Sequence, residues 1–127
     1  MKNIKFYICP TCGNIIEMVH DAGVNPVCCG TKMTELIPNT VEASSEKHIP
    51  VVTVKDNIVT VNVGSAEHPM QDAHHIEWVQ LVTDHGSQRK HLKPSEAPNT
   101  IFQLAGDKPL AVYAYCNLHG LWKTELN

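Results

Sequence analysis

Cys116-Asn117-Leu118-His119, followed by Gly120-Leu121-Trp122, sets a thiol and an imidazole three residues apart near the end of the chain. A tight turn can aim such a pair at one transition-metal ion. Upstream, His48, His68 and His74 stand among strand-like apolar runs, so that four imidazoles and one thiolate are available to a single centre. A second donor set opens the chain: Cys9-Pro10-Thr11-Cys12, then the adjacent pair Cys28-Cys29, with Gly13, Gly23, Pro26 and Gly30 supplying turns. Four thiolates can close a tetrahedral site, and both iron and zinc accept them. A zinc ribbon normally uses two C-x-x-C knuckles, whereas the second knuckle here is a vicinal pair. Neighbouring Cα atoms lie only about 3.8 Å apart, so the two sulfurs must splay to share an ion.

Not every histidine has a claim on metal. His20, His85 and His91 lack convincing partner spacing. His68 and His74 flank Pro69-Met70-Gln71-Asp72-Ala73, a loop able to bring both rings to one side. His75 is next to His74, and strand alternation sends neighbours to opposite faces, so only one of the two should ligate. The residues alone leave that choice open. A blue-copper site would add an axial methionine after the C-terminal histidine, and no methionine follows Met70. A zinc hydrolase would need an open position and a carboxylate base, for which this donor set leaves little room. Iron fits the set better.

The elements that must position these donors are short strands. Pro50 to Lys55 and Ile58 to Val63 flank an Asp56-Asn57 turn, a hairpin signal. His75 to Thr83, Gln88 to Leu92, Ile101 to Leu104, Leu110 to Tyr115 and Leu121 to Leu126 follow, with His48 just before the first strand at the mouth of a loop. Six or seven short strands without a long helical period predict a mainly β protein, an immunoglobulin-like sandwich. Residues 1-37 form a separate cysteine module with too few apolar residues to fold without a metal cross-link. Residues 38-45 are small and polar and read as a linker, and 46-127 make up the sandwich.

The 127 residues, 43% hydrophobic and 18% charged, describe a globular chain with a real core. Five cysteines in such a chain suit metal binding better than disulfides. A net charge of -3 argues against general nucleic-acid binding, so an anionic substrate would need local positive charge. No apolar run approaches the roughly 20 residues of a membrane span, and the first residues carry no secretion signal. The cytoplasm is the expected compartment.

Glu46-Lys47-His48-Ile49-Pro50-Val51, Gly64-Ser65 with His68-Pro69-Met70, His74-His75-Ile76-Glu77-Trp78, Leu92-Lys93-Pro94 and Tyr115-Cys116-Asn117-Leu118-His119-Gly120-Leu121-Trp122 together resemble desulfoferrodoxin, the two-iron superoxide reductase family. The resemblance covers essentially the whole chain, and the C-x-x-C with a Cys-Cys pair matches the desulforedoxin-like domain of its two-centre members. His75 departs from the tyrosine that members often carry.

The resemblance implies a catalytic iron held by His48, His68, His74 and His119 with Cys116 as axial ligand, and a second iron held by Cys9, Cys12, Cys28 and Cys29. It implies one-electron reduction of superoxide to hydrogen peroxide without release of oxygen, a rubredoxin-like electron donor and a homodimer. It also places Lys47 near the open position of the iron and gives Glu46 the role of filling that position in the ferric state. Two other readings are possible. A rubredoxin- or desulforedoxin-type electron carrier would need only residues 1-37, leaving the histidine set as a structural metal site, and in a non-catalytic zinc protein both clusters would be structural.

Overall fold

The computed structural model of the protein describes residues 4-126. The chain divides into two compact units, Met1–Ile37 and Pro38–Asn127. In the first, β1 (Phe6–Ile8), β2 (Ile15–Glu17) and β5 (Thr34–Glu35) form an antiparallel sheet in the order β2-β1-β5, and β3 (Val27–Cys28) pairs with β4 (Thr31–Lys32). All five strands are two or three residues long. Tyr7, Cys9 and Met33 are buried together, with Met18 and Cys28 packed against them. Two of these five side chains are metal-ligand candidates, and a core this small cannot offset the entropy of ordering the chain around it.

The second unit begins with α1 (Ser45–His48) and continues through β6 (Pro50–Lys55), β7 (Ile58–Val63), β8 (Ile76–Thr83), β9 (Ser87–His91), β10 (Asn99–Gln103), β11 (Pro109–Cys116) and β12 (Gly120–Glu125). A three-stranded sheet, β10-β7-β6, and a four-stranded one, β12-β11-β8-β9, make the expected sandwich, with seven strands where the sequence predicts six or seven. The hairpin between β6 and β7 turns at Asp56, whose φ of 55° is tolerated by aspartate better than by most residues. Alternation along β7 sends Val59, Val61 and Val63 inward. There they join Phe102 of β10 and face Ile76, Val79, Leu81, Val112, Ala114 and Cys116 of the other sheet. The thiol of Cys116 therefore belongs to the hydrophobic core.

Two expectations need correction. His48 does not lie in a loop mouth but closes a single helical turn, with the Ile49 N–H donating to the Ser45 carbonyl at 2.9 Å. Glu46 and Lys47 favour that turn, and Pro50 ends it by forcing Ile49 into the extended region. One turn is too short to leave an apolar period in the sequence. The strand expected from Ile101 begins at Asn99, because its register with β7 runs from Asn62 to Ile58.

Asn39, within the predicted linker, is tied down. Its side chain bonds the Lys123 N–H at 2.9 Å and carbonyl at 3.1 Å, and its own N–H donates to the Leu121 carbonyl at 3.0 Å. Among the described residues no helix is long and apolar enough to cross a membrane.

Candidate metal centres

The histidines and Cys116 meet at one end of the sandwich. His48 ends α1, His68 and His74 lie between β7 and β8, Cys116 ends β11, and His119 occupies the turn into β12. That turn closes on Gly120, whose φ of 79° a side chain would resist. The donors span 71 residues from His48 to His119.

The four imidazoles stand in a ring. Centroids of successive rings lie 4.5 Å (His48 to His68), 4.7 Å (His68 to His74), 5.0 Å (His74 to His119) and 4.9 Å (His119 to His48) apart, each pair close to perpendicular. Across the ring His48 and His74 are 6.3 Å apart. These distances describe a nearly square arrangement. The donor atoms of His48, His68, His74 and Cys116 all lie within 4.8 Å of one another. His119 joins them through Nδ1, 3.1 Å from His48 Nε2 and 3.9 Å from Cys116 Sγ.

The hydrogen bonds fix which nitrogens face inward. His48 Nδ1–H donates to the Ser44 carbonyl at 2.6 Å, and His68 Nδ1–H donates to the Pro69 carbonyl at 2.7 Å. With those protons committed, the Nε2 atoms of the two rings are bare acceptors, yet they stand 3.1 Å apart. His74 Nε2 is buried with no partner. Lone pairs converging without a donor call for a cation, and three of the rings, those of His48, His68 and His74, are kept neutral for it. Burial lowers the pKa of His48 and His74 and takes that of His68 to about 4. Burial raises that of Cys116, while the Leu118 and His119 N–H groups donate to its sulfur and oppose the rise. The donor set fits a transition-metal ion with imidazole in excess over thiolate.

Packing fixes the rings as well. Trp122, almost fully buried, stacks on His48 at 4.8 Å and donates its indole N–H to the His119 carbonyl at 3.1 Å. The Glu46 carbonyl accepts from the Ala66 N–H at 2.8 Å and from the Ser65 hydroxyl at 3.2 Å. A Cβ on Gly64 would stand 2.5 Å from the Glu46 oxygen and 2.8 Å from the Lys47 carbonyl carbon, so only glycine lets the His48 turn dock there. Glu46 and Lys47 themselves are exposed on that turn, with the Ser44 hydroxyl donating to Glu46 Oε1 at 3.2 Å. His75, the neighbour that could have competed, lies outside the ring with its Nδ1 3.1 Å from the Gln71 carbonyl. His20, His85 and His91 are not in either donor cluster.

Cys9, Cys12, Cys28 and Cys29 also bring their sulfurs within 4.8 Å of one another. The Cys12–Cys28 separation is 3.7 Å and the Cys28–Cys29 separation 3.9 Å. Four sulfurs about 2.3 Å from one ion would stand about 3.8 Å apart in a tetrahedron. The vicinal pair achieves its splay through the backbone, because Cys29 adopts a left-handed φ of 54° and Gly30 one of 71°. Titration is divided among the thiols. The Cys12 N–H, 3.5 Å from Cys9 Sγ, leads the groups that lower Cys9 to about 6, while hydrogen bonding with Cys12 leads those that raise Cys28 and push Cys29 up to about 12. Four thiolates cannot coexist here on their own, and a bound cation lets them.

Several supporting groups carried no sequence signal. The carbonyls of Ser44 and Pro69 have no side-chain signature, and Trp122 reads as an ordinary core aromatic. Gly64 directly after a β-branched run was a usable clue to a close backbone approach.

Comparison with known proteins agrees with this geometry. The desulfoferrodoxin family model matches residues 40–125, and the model for the desulfoferrodoxin N-terminal domain matches residues 2–36. The chain is 46% identical to the desulfoferrodoxin of Nitratidesulfovibrio vulgaris over 121 residues, 95% of each chain. It is 31% identical to a superoxide reductase of Thermococcus kodakarensis over 99 residues, covering 64% of this chain and 86% of the relative. The crystal structure of the superoxide reductase from Treponema pallidum superposes with a TM-score of 0.81 at 38% identity, covering 98% of this chain and all of that one.

Proposed function

The chain belongs to the desulfoferrodoxin family, and on that premise we propose that it is a superoxide reductase. One electron and two protons convert superoxide to hydrogen peroxide, and no dioxygen is released. The observation that carries the reading is the nearly square ring of four imidazoles with the buried Cys116 thiol beside it. We assign His48, His68, His74, His119 and Cys116 to an iron ion, which when bound supplies the reducing electron and a positive charge. As the single anionic donor, Cys116 would leave a bound ferrous ion net positive, and the two N–H groups on its sulfur would moderate its donation. Imidazoles with lowered pKa stay unprotonated at neutral pH and compete with no incoming proton.

Lys47 stands one residue before His48 and is exposed, so its ammonium is free to draw a monoanion toward the ring on a chain that is negative overall. Glu46, on the same turn, offers a hard carboxylate suited to ferric iron after the reaction. Cys9, Cys12, Cys28 and Cys29 would hold a second iron with no open position, competent for electron transfer and not for binding substrate. In this reading residues 1-37 are a desulforedoxin-like domain, 38-45 a connector and 46-127 the catalytic sandwich. The physiological setting we assign is a cytoplasmic homodimer fed by a rubredoxin-like donor. A simple electron carrier would leave the histidine ring without a purpose.

Superoxide delivered to the iron-loaded, reduced protein tests the proposal. Equimolar peroxide without dioxygen supports it. Dioxygen evolution, or superoxide decay no faster than in buffer, overturns it.

A further inference from the structure

Asn117 sits between two metal-ligand residues, but its side chain reaches away from them to the loop that carries a third. Its Oδ1 accepts from the His75 N–H at 2.8 Å, and its Nδ2 donates to the Ala73 carbonyl at 3.0 Å. Its backbone N–H donates to the His75 carbonyl at 3.2 Å. One residue thus grips the peptide groups on both sides of His74, across 42 to 44 positions of sequence.

His74 needs such a grip more than His48 or His68 does. The His48 and His68 rings are each oriented by a carbonyl on Nδ1–H. Among the described residues no group orients the His74 ring in that way, and its buried Nε2 has no partner. What fixes it is backbone: the reciprocal Gln71–His74 pair, at 2.9 and 3.1 Å, and the Asn117 bonds. We propose that Asn117 is a positioning residue for the metal centre, holding the 73-75 backbone so that the His74 ring faces the point shared by the other donors. The inference rests on reading His74 as a ligand.

The test is a thermodynamic cycle on the full chain. Cobalt(II) affinity of the histidine site is measured by chelator competition, following the absorption that disappears in Cys116→Ser. Groups that orient metal ligands typically contribute about 10- to 100-fold in affinity, and Asn117→Ala should fall in that range. Asn117→Asp, which keeps the acceptor for the His75 N–H and loses the donor to Ala73, should fall between Asn117→Ala and wild type. If Asn117 acts through His74, then in a His74→Ala background Asn117→Ala should change the affinity by less than about twofold, since the two residues form one coupled unit. An equal loss in both backgrounds overturns the proposal and makes Asn117 a plain support of the Cys116 turn. Wild-type affinity in His74→Ala would instead overturn the ligand reading of His74 on which the proposal rests.

Discussion

Cys12 and Cys29 are exposed, and the unit around them buries three side chains together, one of them a thiol of the donor set. Cys116, His48 and His68 are buried, and Cys116 packs among valines, isoleucine and leucine contributed by both sheets of the sandwich. In the first unit the donors are a large part of what holds the fold, so the fold depends on the ion. In the second the core is built almost wholly from non-ligand side chains, so the fold is expected to stand without the ion and to impose its geometry on the donors. The placement of strain agrees: one ligand of the cysteine set, Cys29, takes a left-handed backbone itself, whereas the histidine ring leaves the special conformation to a neighbouring glycine, Gly120, and the close approach to Gly64.

The sharpest way to break this contrast is to remove all metal with a strong chelator and follow amide hydrogen exchange. Structural tetrathiolate sites contribute on the order of 10 kcal/mol to folding, so amides of β1, β2 and β5 should lose protection entirely while those of β7, β8 and β11 keep most of theirs. Equal loss in both units would end the distinction. Next in size is Cys116→Ser. It should slow superoxide reduction by about 100-fold or more, in the range expected when a metal ligand or its support is lost, and remove the thiolate-to-iron absorption of that centre. The colour of the four-cysteine centre should stay, and an unchanged band from the histidine centre would mean that Cys116 is not its sulfur ligand.

Smaller effects belong to exposed groups near the ring. Lys47→Ala should slow the bimolecular reaction with superoxide on the order of tenfold and flatten its dependence on ionic strength, with Lys47→Arg restoring both, since the effect is one of charge. Identical salt slopes for wild type and Lys47→Ala would leave attraction to the iron alone. Glu46→Ala should leave that rate within about twofold, because a carboxylate matters only to the harder ferric ion, and should alter the ferric spectrum at high pH. An unchanged ferric pH transition would return Glu46 to the solvated surface.

Sequence carried the strands well where β-branched residues alternate, as in Ile58 to Val63, and the donor residues well because few other residue types bind soft or borderline metals. It carried little about how donors are aimed. The helical turn under His48 is a single turn stabilised by docking on Gly64 and Ser65, a tertiary contact with no period to detect. The choice between His74 and His75 depends on where β8 starts, and it starts at Ile76, after the Gln71–His74 bridge has already set the direction of the chain. The clamp from Asn117 depends on a pairing across the fold that local sequence does not encode.

The different spans of the two donor sets have a meaning for the chain as it is made. Cys9 and Cys28 are separated by 19 residues, His48 and His119 by 71. At about 5 to 20 residues per second of synthesis, Cys29 emerges roughly 5 to 20 s before His119. The cysteine set is complete on the nascent chain while the histidine ring does not yet exist. The cysteine set is therefore able to close on an ion before the histidine ring can form.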